Sequence, residues 1–287
     1  MITRRNVLAV AGLGVAGPVR ADELDTVRHL QYATVDFQTT YIQQLLALAL
    51  ARSGRAYVLQ PVSMELVQNR ALIELTGPKP PIDVFWSMTD KDRERRPLTV
   101  RIPIDRGLFG WRIALVRRSQ AQRWQRLQSL PELARYDAVQ MPDWPDTAIL
   151  RANGLPVQTT TYYAALFEML VRGHVDYFPR SIMEIGDEFN AHHDLDIAIE
   201  RHVLLHYPAA MYFFVSPSRP RLAADLEIGL EAMVADGELQ RLFRAQFGDL
   251  LGRYELGRRV TLELKNPLLP VQTPLQRKEL WWSPQEA

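Results

Sequence analysis

Short apolar runs of strand length alternate with longer helical ones along most of this chain, and that order restricts the fold more than any other feature of the sequence. His29 to Val35 reads as a strand, Thr39 to Ala51 as an apolar helix, Ala56-Tyr57-Val58-Leu59 as a strand and Met64 to Leu75 as a helix. Gly54 falls where the first helix must end, and the Gly77-Pro78 and Pro80-Pro81 pairs break the chain before the apolar Ile82 to Trp86 segment. A β-α-β-α series of this kind argues for an α/β layer with a largely parallel sheet.

A second series follows. Arg112-Ile113-Ala114-Leu115-Val116 is strand-like; helices are expected around Leu133, from Asp146 to Ala152 and from Tyr163 to Val171, with extended segments at Leu155 to Thr159 and Val175 to Phe178. Tyr212-Phe213-Phe214-Val215 is another strand. Leu222, Leu226, Leu230, Met233 and Val234 then recur at helical spacing until Gly237, and Leu239 to Phe247 forms a short final helix. With 287 residues, 47% of them hydrophobic, the chain exceeds one compact unit of ordinary size, so two lobes are expected. From Arg258 the character changes: Val260, Leu262 and Leu264 alternate as in a strand, and prolines at 267, 270 and 274 favour an extended path. Leu268, Leu269, Leu280, Trp281 and Trp282 give this tail apolar surface, which reads as a strap across the body; a disordered tail is the competing reading.

Acids and bases are interspersed and the formal charge is +1, which leaves no electrostatic footprint for nucleic acid. Arg4 and Arg5, the apolar run from Val7 to Val15 and the Val19-Arg20-Ala21 stretch read as a signal peptide over residues 1–21. Thr3 to Leu8 resembles a twin-arginine export signal, although ordinary secretory signals also carry paired arginines. The run is far shorter than the roughly 20 residues that span a bilayer, and no later stretch is long enough, so no membrane insertion is expected after cleavage. Cysteine is absent, which excludes disulfides, thiolate catalysis, cysteine-metal sites and a lipid anchor on a cysteine. The expected location is the periplasm, on the strength of the signal alone.

The C-terminal helices carry recognisable sequence. Ser218 to Ala223, Leu230 to Leu239 and Phe243 to Gly248 together resemble the closing segment of family 3 extracellular solute-binding proteins, the amino-acid-type periplasmic receptors of ABC transporters. The upstream order is similar too: an early aromatic at Phe37, an Asp83-containing strand, Thr89 to Arg93 as a degenerate threonine-to-arginine signature, and Gly173-His174-Val175-Asp176. The resemblance covers about residues 25 to 250. It implies a two-lobed α/β fold of the type II periplasmic-binding-protein kind, with two hinge crossovers and closure on a ligand. Residues 22–110 and 212–287 would form the first lobe, with 258–287 as its strap, and 111–211 the second. The implied function is capture of a small polar solute, anionic or amino-acid-like, by a monomer that needs no cofactor and serves an ABC-type permease. A receptor for a membrane sensor, or a dehydratase-like enzyme on the same fold, are the alternatives.

By the same resemblance Arg93 matches the arginine that clamps a ligand carboxylate, which a planar guanidinium can do bidentately. Asp92, Glu94, Arg95 and Arg96 around it also fit a solvated charged face. Phe37 and Tyr41 follow the first strand and Trp86 and Ser87 end another, where strand ends face a cleft; core packing is the competing reading for the aromatics. In the second lobe Asp143-Trp144-Pro145-Asp146-Thr147 opens a helix, so Trp144 and Thr147 could meet an anionic ligand at its N-terminus, or the segment could simply cap it. The family's acid for a ligand ammonium is not found just after Asp176; Arg180 stands there and Glu184 is the nearest acid, which puts a standard α-amino acid in doubt. The His192-His193-Asp194 and His202/His206 groupings lack the company of a metal site, and no catalytic triad can be assembled.

Overall fold

The structure is a computed structural model in which residues 25–31, 37–64 and 68–286 are described; the expected signal peptide lies outside the described residues. The chain opens with β1 (Asp25–Gln31), α1 (Phe37–Ala51), β2 (Tyr57–Ser63), α2 (Gln68–Leu75), β3 (Val84–Met88) and β4 (Leu98–Val100). It crosses to a second layer made of β5 (Trp111–Arg117), α3 (Leu130–Leu133), β6 (Ala138–Gln140), α4 (Pro145–Ala152), β7 (Val157–Thr159), α5 (Tyr163–Val171), β8 (Tyr177–Ser181), α6 (Ile185–Ala191), β9 (Ile197–Ile199) and β10 (Val203–His206). It returns with β11 (Met211–Val215), α7 (Pro220–Ala235) and α8 (Glu238–Arg253), and ends with β12 (Val260–Glu263).

Two sheets result, one ordered β2-β1-β3-β11-β4 and the other β12-β10-β5-β8-β6-β7, with β9 also on β5. Strands that stay within a layer run parallel, as β1 with β2 and β3, and β6 with β7 and β8. The strands at the two crossings between the layers run antiparallel to their neighbours: β11 to β3 and β4, and β5 to β8, β9 and β10. The expected α/β alternation is therefore present, with antiparallel strands at these two crossings. Every residue of β3 and β11 is buried, which explains their apolar character, broken only at Ser87 of β3. α8 runs past the expected end at Phe247, because Leu239, Phe243, Phe247 and Leu251 continue one buried stripe at a spacing of four. Helix α1 lies so close to α7 that a side chain at Gly229 would collide with the Ala49 carbonyl.

Two segments, 101–110 and 207–210, join the lobes, and Asp105 ties them together. Its buried carboxylate accepts the backbone N–H of Gly107 (3.1 Å) and Phe109 (2.9 Å) in the first crossing, and that of Met211 (3.3 Å) at the end of the second. Ile104 N–H also donates to Met211 O at 2.9 Å. Burial pushes the Asp105 pKa up to about 6, with the three N–H donors pulling the other way.

The sequence reading assigns residues 258–287 to the first lobe; instead β12 pairs in parallel with β10 on the edge of the second sheet, and Leu262 and Leu264 pack into that lobe's core. The outer edge of β10 would otherwise leave its backbone groups without partners. Beyond β12 the tail bonds to both lobes. Lys265 exchanges two 2.8 Å hydrogen bonds with the side chain of Asn153 in the second lobe. The carbonyls of Pro267 and Leu268 accept from Lys91 Nζ (2.8 Å) and Lys91 N–H (3.1 Å) in the first. Farther on, the buried Arg106 guanidinium donates to Glu286 at 2.9 and 3.1 Å, and Trp282 donates its N–H to Arg106 O at 2.8 Å and sets its ring edge-on to Trp111 at 5.5 Å.

Two outcomes follow from the hinge and its strap. Trp282, 4% exposed, is part of the core, so Trp282→Ala lowers stability in urea unfolding by about 3–5 kcal/mol; a loss within experimental error would mean that the strap merely rests on the surface. The Asp105 carboxyl is raised from 3.8 to about 6, so the cost of its charge is absent below the lower value and full above the upper one. That cost is about 3 kcal/mol at neutral pH. Stability measured from pH 7 down to 4 should therefore improve in the parent protein relative to Asp105→Asn, and parallel curves would contradict the assignment.

Candidate functional site

A groove of about 700 Å³ separates the lobes, lined by Asp90, Lys91 and Arg93 from the first and by Asp143, Trp144 and Pro145 from the second, with Pro267 and Leu268 of the strap at its side. Arg93 lies on a single helical turn just past the end of β3. Asp90 caps that turn by accepting the N–H groups of Asp92 and Arg93, both at 2.8 Å. This turns Arg93 inward: its Nη1 donates to Ser87 Oγ and to Met88 O at 2.8 Å each, and its Nε lies 3.3 Å from Asp90. The Arg93 side chain is 11% exposed, against 74% for Arg95, so the solvated-face reading fits Arg95 and not Arg93. Burial lowers the Arg93 pKa, opposed by the carboxylates of Asp90 and of Asp146 across the groove.

On the facing lobe, Arg180 of β8 sets its guanidinium against the rings of Trp144 (4.4 Å) and Phe178 (5.1 Å), which stack on one another. Its guanidinium forks onto Glu188 of α6 through three hydrogen bonds of 2.6 to 2.9 Å, and stands 3.2 Å from Glu184. Burial alone would lower its pKa, but the two carboxylates outweigh that and raise it. Tyr163 donates its OH to the same Glu188 at 2.6 Å. Arg180 is therefore already neutralised within its own lobe, and Trp144 serves as one plate of its stack.

Arg112, at the start of β5, sits deeper, buried between Phe109 (4.7 Å) and Tyr207 (5.5 Å). Its Nη2 is 2.8 Å from the Asp146 carboxylate, which also accepts from the Tyr207 hydroxyl, and its Nη1 is 3.9 Å from Glu184. Burial raises the Glu184 pKa, with Arg180 and Arg112 opposing. The cluster joins charged residues of the second lobe to Phe109 and Tyr207 of the two crossings. Arg112 and Tyr207 were missed by sequence reasoning, and Asp146 was read only as the acid that follows the cap of its helix. The available signal was a charged residue inside an otherwise apolar strand, Trp111-Arg112-Ile113, which at a buried position demands a counter-charge.

Other sequence candidates lie elsewhere. Tyr41 is buried, with its OH donating to Ile104 O at 2.7 Å and its ring edge-on to Phe247, so it supports the first crossing and does not face the groove. Trp86 belongs to the core, since β3 is covered on both faces. Ser87 positions Arg93. Thr147 gives its hydroxyl to Met141 O at 2.7 Å and steadies the turn before α4. Phe37 opens α1, but its side chain is outside the described residues. Asp176 accepts from Asp137 N–H (2.9 Å) and Arg123 (2.5 Å), a contact internal to the second lobe. His192 stacks on Phe167, and His206 stacks on Trp111 and bonds Glu263, so each histidine has a packing role.

Glu188→Gln removes the forked partner of a cation that is 5% exposed; breaking one side of such a pair costs about 3–5 kcal/mol, measurable by urea unfolding. An unchanged midpoint would mean that Glu184 alone neutralises Arg180.

No protein-family model matches the chain, and no curated protein matches it in sequence. Solved structures do share its architecture. A probable amino-acid ABC transporter extracellular-binding protein from Bacillus subtilis superposes with a TM-score of 0.56 at 16% identity, over 78% of this chain and 99% of that one. An ancestral arginine-binding protein bound to arginine gives 0.51 at 16% identity, over 78% and 99%. A histidine kinase sensor domain with similarity to periplasmic binding proteins gives 0.53 at 13% identity, over 79% and 98%. At these identities the likeness is one of fold: the chain has the two-lobed α/β architecture of periplasmic binding proteins.

Proposed function

We propose that this protein is an exported receptor that captures a small polar solute, amino-acid-like or bearing an anionic group, between its lobes and passes it unchanged to an ABC-type permease. The observation that carries this reading is the groove between the lobes, with Arg93 held at its wall by Ser87, Met88 and Asp90 and a buried charged cluster behind it. A guanidinium so fixed offers donors without having to be ordered on binding. Among the described residues no helix is long and apolar enough to cross a membrane, which is compatible with release after the signal is removed.

An enzyme of the dehydratase kind would use a carboxyl group as acid or base, and Glu184, its pKa raised by burial against two opposing guanidiniums at 3.2 and 3.9 Å, is the candidate; turnover of a bound solute, abolished by Glu184→Gln, would select that alternative. The sensor-receptor alternative differs only in the membrane partner, and a pull-down that recovers a kinase in place of a permease would select it.

A thermal-shift screen of the mature protein against amino acids, their carboxamides and dicarboxylates tests the proposal. A solute at 100 times its Kd adds about 2.7 kcal/mol to stability, a shift of several degrees. Arg93→Ala should remove the shift while the protein stays folded. No response to any compound would contradict the receptor reading.

A further inference from the structure

We infer that the cavity beside the hinge, walled by Trp111, His206 and Glu263 on one side and by Trp281 and Trp282 of the tail on the other, is a second small-molecule site, and that it takes an arylalkylammonium ion. This cavity and the groove share no lining residue, so the site stands apart from the receptor reading above.

Three strands of the second sheet build one wall. In their register Glu263 of β12 pairs with His206 of β10, and His206 with Trp111 of β5, so a carboxylate, an imidazole and an indole stand in one row across the sheet. Along β12 the exposed Thr261 and Glu263 alternate with the buried Leu262; the first two line the cavity, of about 680 Å³, while Leu262 packs into the core. His206 stacks on Trp111 at 3.8 Å and donates its Nδ1–H to Glu263 at 2.6 Å. Burial lowers the His206 pKa, with Glu263 opposing, and a neutral imidazole that donates from Nδ1 keeps a lone pair on Nε2. His206 and Glu263 therefore offer acceptors and one negative charge.

The tail supplies the other wall and is itself held by the first crossing. Trp282 donates its N–H to Arg106 O, and the Trp281 ring packs so closely on Gly107 that a side chain there would collide with it. Trp281 Nε1 also donates to Pro274 O at 3.0 Å. Both indoles are thus in place before any ligand arrives. Leu275, which also lines the cavity, is 43% exposed and gives a ring apolar surface to cover. Aromatic and apolar walls with a few converging polar groups are the make-up of a small-molecule site. Charge then selects a cation. Arg259, the other charged side chain of the lining, already donates to the carbonyls of Tyr254 (2.9 Å) and Glu200 (2.8 Å) and stands 3.6 Å from the Glu200 carboxylate. The Glu263 side chain is 65% exposed and has a neutral imidazole beside it. An ammonium can donate to Glu263 and His206 Nε2 while its ring meets the indoles, whose faces themselves attract cations. A carboxylate in its place would be repelled by Glu263, and a ringless amine would leave the indoles uncovered.

The test is calorimetric titration of the mature chain with phenethylammonium, beside phenylpropionate as the ring-bearing anion and butylammonium as the ringless cation. Phenethylammonium is expected to bind at one site per chain, and the other two at least about 10-fold more weakly. Glu263→Gln, at an exposed position, should weaken phenethylammonium about 10-fold or more. Leu275→Lys, which sets a second cation at the cavity, should abolish binding, with circular dichroism confirming that both variants fold. No binding of phenethylammonium, equal affinity for either control compound, or an affinity that either variant leaves unchanged overturns the inference. None of these outcomes bears on the groove, whose solute is tested through Arg93→Ala.

Discussion

The two lobes depend on one buried carboxylate. The chain crosses between the sheets twice, and without a bond between the crossings each would be a free linker. Asp105 accepts three backbone N–H groups drawn from both crossings, and so sets the register in which β5 leaves the first lobe and β11 re-enters it. From that register follow the antiparallel pairing of β11 with β3, the placement of Arg112 at the root of β5, and that of Tyr207 between β10 and β11. Hinge and cleft share one piece of backbone. Charge at the base of the cleft therefore bears directly on the segment that must move if the lobes open.

The strap adds a second constraint on that motion. Lys265 is bonded to the second lobe through Asn153, and Leu268 to the first through Lys91. Three extended residues span at most about 10 Å. While those hydrogen bonds persist, the lobes can separate on that side of the groove only within this limit. The structure thus combines a hinge fixed at its centre with a short tether at its flank.

Buried charge is treated in two ways inside the cleft. Arg180 packs against two rings and forks onto Glu188, a closed arrangement that stiffens the second lobe. Arg112 is neutralised at 2.8 Å by Asp146, with Glu184 farther off at 3.9 Å, and so ties the start of β5 to α4.

Much of this was legible in the sequence, for definable reasons. Alternating apolar runs revealed both α/β layers, and the stripe of Leu222, Leu226, Leu230 and Met233 revealed α7, because burial imposes a period on long elements. The short strands β4, β9 and β10 have three or four residues each, too few for a period to register. The parallel pairing of β12 with β10 joins residues 57 apart, a contact that no local pattern encodes. Arg93 was singled out by the resemblance of Thr89 to Arg93 to a family signature, and its inward turn depends on Asp90, which looked like one more surface charge. Tyr41 and Trp86 were ambiguous because strand-end aromatics serve core and cleft alike. Arg180 was visible as a charge, but its neutralisation required knowing that α6 brings Glu188 beside β8.

The account's central claim, that a solute occupies the cleft between the lobes, is tested most directly by native mass spectrometry of the mature protein after incubation with millimolar mixtures of amino acids and carboxamides. The account predicts one bound solute per chain, displaced by excess of a single member of the mixture. Protein emerging only at its unliganded mass, at every concentration supplied, would contradict it.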